Sequence, residues 1–112
     1  MKVVVAGGRD FKDKERLFQI LDAIEGITEI VSGCARGADT LGEEYAKEKD
    51  IPVKKFPADW NKGKSAGPIR NEQMAEYGDM LVAFWDGQSR GTKNMIDNAY
   101  KKKGMDVIIQ NY

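Results

Sequence analysis

Short apolar runs alternate with stretches of helical spacing from one end of the chain to the other, and no other feature limits the fold as much. Lys2 to Ala6 is a β-rich apolar run, after which Leu17, Ile20, Leu21 and Ile24 recur at helical spacing. Ile27 to Ser32 reads as a second strand, followed by a helix that carries Ala38, Leu41, Gly42, Tyr45 and Ala46 on one side and ends near Asp50. Ile51 to Phe56 supplies a third strand, and Pro57 to Pro68 has no periodicity and reads as a long surface loop. A third helix from Pro68 or Ile69 to Tyr77, a strand from Met80 to Trp85, a helix from Gly91 to Lys103 and a strand from Asp106 to Ile109 complete the pattern. Five short apolar strands separated by four helices predict a parallel sheet covered on both faces and joined by right-handed crossovers. The expected architecture is a Rossmann-like three-layer α/β/α fold over residues 1–112, with strand order 3-2-1-4-5. Ligands of such folds bind at the carboxyl ends of the strands, where the strand order reverses.

The chain of 112 residues is the size of one domain, so a single fold carries both stability and function. Lys and Arg number 18, as do Asp and Glu, so no global field attracts a polyanion and nucleic-acid binding would need a local basic patch. No apolar run is long enough to span a bilayer, and a single Cys34 agrees with a reducing, cytoplasmic setting. With no His and one Cys, a His/Cys zinc site, a Ser-His-Asp triad and a Cys-His pair are all excluded within one chain. The chemistry is left to carboxylates, arginines, hydroxyls and backbone amides.

Three loops that follow strands carry those groups. They are Gly7-Gly8-Arg9-Asp10 after the first strand, Ser32-Gly33-Cys34-Ala35-Arg36-Gly37-Ala38-Asp39 after the second, and Trp85-Asp86-Gly87-Gln88-Ser89-Arg90-Gly91-Thr92 after the fourth. In a parallel sheet all three open on the same edge. Glycine lets the backbone approach an anion closely, and the helix that follows offers unpaired amides at its positive end. Taken singly, such glycines also make ordinary tight turns, and Ser, Asp and Thr also cap helices. None of the loops matches the dinucleotide pattern G-x-G-x-x-G or the P-loop, which argues against ordinary NAD binding and P-loop ATP hydrolysis.

Of five arginines, Arg9, Arg36, Arg70 and Arg90 sit beside these glycines or at a helix start. The planar guanidinium suits phosphate and carboxylate recognition. Pairing with Asp10, Asp39 and Asp86 is the plainer expectation for them. Gly67-Pro68-Ile69-Arg70-Asn71 reads as a helix start that projects Arg70 and Asn71 toward the same edge. Trp85, and less so Trp60, are candidates for stacking on a base, although aromatics in a domain this small usually serve the core. Cys34 reads as a small loop residue, since no His can activate it. Lys101-Lys102-Lys103 reads as a solvated helix end, and Met74, Met80, Met95 and Met105 as core fillers.

The motifs Val4-Val5-Ala6-Gly7-Gly8-Arg9-Asp10-Phe11, Ser32 to Asp39, Ala66-Gly67-Pro68-Ile69-Arg70-Asn71 with Met74, and Phe84-Trp85-Asp86-Gly87 with Ser89-Arg90-Gly91-Thr92 together resemble the YspA-like (cpYpsA-related) SLOG family. That superfamily also holds the DNA-processing protein DprA/Smf and the LOG phosphoribohydrolases. The resemblance implies a Rossmann-like domain that binds a nucleotide or nucleotide-derived ligand as a sensor or processing domain, and a homodimer or larger homo-oligomer. The string Ser32 to Asp39 is also similar to the ligand loop of DprA, and Arg70-Asn71 to a later DprA motif, which keeps single-stranded DNA as an alternative partner. The LOG enzymes carry P-G-G-x-G-T-x-x-E. Here Gly91-Thr92 keeps the Gly-Thr, but Met95 stands where the Glu would be, so cleavage by that route would need Asp10, Asp39 or Asp86 as its carboxylate. Three functions are therefore expected in order. The first is a binding module, with amides of Gly33 to Gly37 and Gly87 to Thr92 cradling phosphate, Arg36, Arg70 and Arg90 neutralising it, and Asp39 or Asp86 accepting from ribose hydroxyls. The second is a nucleotide-cleaving hydrolase, and the third a DprA-like binder. No cofactor beyond a nucleotide-type ligand is identified.

Overall fold

A computed structural model describes all residues from Met1 to Tyr112. Its elements, in chain order, are β1 (Lys2–Gly7), α1 (Lys14–Asp22), β2 (Glu29–Ser32), α2 (Ala38–Glu48), β3 (Val53–Lys55), a 3₁₀ segment (Trp60–Ser65), α3 (Ala66–Tyr77), β4 (Met80–Trp85), α4 (Arg90–Lys101) and β5 (Asp106–Asn111). The five strands form one sheet of order β3-β2-β1-β4-β5, and every neighbouring pair is parallel. This is the Rossmann-like α/β architecture that the alternation of strands and helices predicts.

The period of two along each strand splits the core into two layers. Val3 and Val5 of β1 point to the side of α1 and α2, where they meet Leu17, Leu21, Ile30, Ala46 and Phe84. Val4 and Ala6 point to the other side, where Met74, Ala75, Leu81, Met95, Ile96 and Ala99 cover the sheet from α3 and α4. Central strands buried on both faces must be apolar at every position, which is why β1 and β4 read as continuous apolar runs. Met74, Met80 and Met95 are core side chains, as expected, and Met105 packs half-buried against the second layer.

Several boundaries differ from the expectation by one to three residues, and some of the differences have a local reason. The unpatterned stretch after β3 is not all loop: Asp59 accepts the Asn61 amide on its side chain at 3.2 Å and starts a 3₁₀ turn. That turn runs into α3, which begins at Ala66 ahead of Pro68. Proline is tolerated there because first-turn amides have no helical partner to lose. The edge strand β3 is short, since Pro52 has no amide to donate, and its Lys54 and Lys55 are exposed. The lysine run at the end of α4 is only partly solvated, because Lys102 Nζ donates to the Glu76 carbonyl at 2.9 Å and to the Gly78 carbonyl, closing the end of α3.

No helix is long and apolar enough to cross a membrane.

Candidate functional site

The carboxyl ends of β1, β2 and β4 open together where the strand order reverses between β1 and β4, and the loops there surround a cleft of about 630 Å³. The cleft floor is Ala6, Met74 and Met95, and its walls are the Gly7 to Asp10 loop, the starts of α2, α3 and α4, and Trp60 and Lys64 from the 3₁₀ segment.

Two of these loops are joined to each other. The Gly8 carbonyl accepts the Phe11 amide at 3.2 Å and the Ala38 amide at 3.3 Å, so the first turn of α2 is anchored on the β1 loop. The approach is possible because residue 37 is glycine: its φ is +79°, and a Cβ there would lie 2.2 Å from the Gly8 carbonyl oxygen. One consequence is that the Ala38 amide is already occupied. The loop from Gly33 to Gly37 is consequently less of an open cradle than the sequence implies.

The start of α4 is arranged differently. Asp86 accepts the amides of Gln88 and Ser89, both at 2.8 Å, and these bonds, Ser89 first, hold its carboxyl below the usual carboxylate range. Ser89 then caps α4 by accepting the Thr92 amide at 3.4 Å. Arg90 and Gly91 border the cleft, and their amides, in the first turn of α4, have no helical partner. Gly91 needs no special conformation, and a Cβ there would meet nothing within 4 Å. The fold therefore does not require glycine at 91, in contrast to position 37.

None of these arginines makes an ion pair with the acids expected to hold it. The three ion pairs of the structure are Lys49–Asp22, Lys55–Glu43 and Lys93–Asp97, and none includes Arg9, Arg36, Arg70 or Arg90. Arg9 and Arg90 are exposed at the cleft. Arg70 also borders it but is committed: Nη1 donates to the Gly33 carbonyl and Nε to Asn71 Oδ1 at 3.0 Å. Arg36 is exposed and does not line the cleft, because the Gly37 turn carries it outward.

The three candidate carboxylates have different surroundings. Asp39 lines the cleft and is 5% exposed. Burial raises its pKa to about 6, against the opposing pull of the Ala35 amide and the Arg70 guanidinium. Asp10 also lines the cleft, and its Oδ1 accepts the Tyr112 hydroxyl at 2.6 Å. The Asp86 carboxyl serves the turn that starts α4. No three Asp, Glu or Cys side chains cluster in a way that would hold a metal ion.

Asn71 is buried and joins the helices that flank the cleft, donating to the Gly91 carbonyl at 3.3 Å and to Asn94 Oδ1 at 3.0 Å. Of the remaining sequence candidates, Gly7, Gly8, Ala35, Ser89, Gly91 and Thr92 border the cleft. Ser32, Gly33, Cys34, Gly37, Ala38, Trp85 and Gly87 do not. Ser32 is buried and donates to Glu43 Oε2 at 2.6 Å while accepting the Cys34 amide at 3.1 Å. Cys34 sits at a φ of +66° with its thiol pushed up by burial and then by Glu43, so it is no activated nucleophile. Trp85 is turned away, with its indole N–H bonded to the Ser89 carbonyl at 3.1 Å. Trp60, which the sequence offers as a lesser candidate for stacking on a base, lines the cleft, as do Lys64 and Asn94, which the sequence did not single out. The first two lie on the unpatterned stretch, and Asn94 falls at an ordinary helical position.

The model of the YspA, cpYpsA-related SLOG family matches residues 1–63, more than half of the chain. The chain belongs to that family. None of the curated proteins matches it. The matched stretch contains β1, the Gly7 to Asp10 loop and the Ser32 to Asp39 loop, whereas the motifs at Arg70-Asn71 and Asp86 to Thr92 lie beyond it and come to the site through the fold. Family membership points to a nucleotide-related function.

Proposed function

We propose that this protein binds a phosphorylated, nucleotide-type ligand in the cleft, with the phosphate at the start of α4. The observation that carries the reading is the pairing of two features at that spot. Arg9 and Arg90 border the cleft with no ion-pair partner, and Arg90 and Gly91, whose amides have no helical partner, line the same space at a helix N-terminus. Glycine at 91 supports this role, since its missing side chain is needed by nothing in the fold and leaves room for an anion. Arg70, fixed by the Gly33 carbonyl and Asn71, supplies a rigid third charge. A volume of about 630 Å³ suits a nucleotide-sized molecule.

A thermal-shift screen with nucleoside mono- and diphosphates, cyclic nucleotides and ADP-ribose tests the reading. At least one nucleotide raises the melting temperature of the wild type, and Arg90→Ala removes that shift without lowering the melting temperature of the free protein. A screen in which only an oligonucleotide shifts the melt, with steep salt dependence, would replace this reading by a DNA-binding one.

Cleavage of the bound nucleotide is the second reading, and Asp39 is the observation that favours it. Its carboxyl is raised to about 6, where a group can both give and take a proton near neutral pH. Product analysis of every nucleotide that shifts the melt separates turnover from binding, and Asp39→Asn abolishes any turnover found.

A further inference from the structure

The cleft is bordered by one large aromatic side chain, and the fold makes no evident use of it. Trp60 is 60% exposed although it lines the cleft. The stacked and edge-to-face aromatic pairs of the structure all involve Phe and Tyr, and none of the cations placed over a ring sits over this indole. The ring is thus without an aromatic or cationic partner on either face, whereas the other tryptophan, Trp85, is half-buried and hydrogen-bonded.

The position of Trp60 is nevertheless built. Its backbone follows the Asp59 cap, the Lys62 amide donates to the Asp59 carbonyl at 3.0 Å, and Ser65 Oγ donates to the Lys62 carbonyl at 3.1 Å. The indole edge reaches α3 at Gly67, where a Cβ would come within 3.8 Å of the ring's Cη2 atom. The ring edge therefore lies close to the first turn of α3 beside the cleft. Water gains little from contact with an indole face, and a flat aromatic ring entering the cleft would cover that apolar area and gain stacking energy.

We infer that Trp60 is the base-recognition residue of the cleft, stacking on the aromatic base of a nucleotide whose phosphate lies at the start of α4. The inference rests on the proposed phosphate site and adds the other end of the ligand to it. It assigns the substrate class as nucleotides with an intact base, and not sugar phosphates of the same charge. Because every base has a π-face, stacking on Trp60 gives affinity with modest preference among bases.

Calorimetric titration of the wild type, Trp60→Ala, Trp60→Phe and Arg90→Ala with AMP, GMP, CMP, UMP and ribose 5-phosphate tests the assignment. The wild type binds at least one of the nucleoside monophosphates more tightly than ribose 5-phosphate. Trp60→Ala weakens that nucleotide by roughly 5- to 100-fold and leaves ribose 5-phosphate unchanged, Trp60→Phe retains much of the affinity, and Arg90→Ala weakens both ligands. The inference alone is overturned if nucleotides bind and depend on Arg90 but Trp60→Ala has no effect, or if ribose 5-phosphate binds as tightly as the best nucleotide. If none of the five compounds binds the wild type and no nucleotide of the thermal-shift screen does, the phosphate site falls and the assignment of Trp60 falls with it. Trp60 is exposed, so the melting temperature of both Trp60 variants stays near that of the wild type.

Discussion

Asp39 is the residue whose setting has the clearest measurable consequence. Its carboxyl is raised from 3.8 to about 6 by burial in the folded protein. Between those values the folded state holds a proton that the unfolded chain has released, so stability falls as pH rises through that window. The cost is absent below about pH 4 and fully present above about pH 6. Asp39→Asn escapes it, and the stability of that variant relative to wild type rises across the window by an amount on the order of 3 kcal/mol. Urea denaturation at pH 4 and pH 7 measures the difference, and a difference that does not change with pH contradicts the assignment. The arginines at the strand ends were legible in the sequence because glycines flag the loops that carry them. Their lack of ion pairs was not, since Asp10, Asp39 and Asp86 are near them in sequence but accept from Tyr112, from the Ala35 amide and from the Gln88 and Ser89 amides. Trp60 ranked below Trp85 as a stacking candidate because the stretch around it has no period that would say which way its side chains face.

Among elements, the loops on β1 and β2 act as one unit and the start of α4 as another, and glycine substitutions separate them. Gly37→Ala forces a side chain into a left-handed backbone and against the Gly8 carbonyl, at a cost of about 1–3 kcal/mol. Gly91→Ala meets open space in the first turn of α4 and is neutral or stabilising by up to about 1 kcal/mol. Thermal melts of the free variants compare the two, while titration with the nucleotide that binds the wild type shows Gly91→Ala losing affinity because its methyl group occupies the anion's place. A Gly91→Ala protein that binds as well as wild type would leave the phosphate elsewhere. All four helices were legible in the sequence, the first two from the apolar spacing of Leu17, Ile20, Leu21 and Ile24 and of Ala38, Leu41, Tyr45 and Ala46. The early start of α3 was not, because Asp59 and Ser65 make local side-chain hydrogen bonds that build a 3₁₀ turn without any apolar repeat.

At the scale of the molecule, the sheet holds two apolar layers, one under α1 and α2 and one under α3 and α4. They share β1 and β4, so neither layer can open without exposing strands that the other needs. Leu17→Ala in the first layer and Leu81→Ala in the second each lower stability by about 2–5 kcal/mol and leave a single cooperative transition. Denaturation followed by circular dichroism and by tryptophan fluorescence checks this, and two separated transitions in either variant would contradict it. The sheet order was legible because alternating strands and helices, joined by right-handed crossovers, leave few topologies. That same order places the cleft between β1 and β4, yet which loop residues face it depends on turns at Gly37 and Asp86 that carry Arg36 outward and Trp85 inward to Ser89. The central claim is that an anion-bearing nucleotide sits at the start of α4, and an amide chemical-shift titration with the nucleotide that binds the wild type tests it most directly. The account predicts the largest shifts at the amides of Arg90 and Gly91, with smaller ones at Gly8 and Arg9. Shifts confined to another surface, such as the shallow depression where Arg16 meets Gln110, would contradict it.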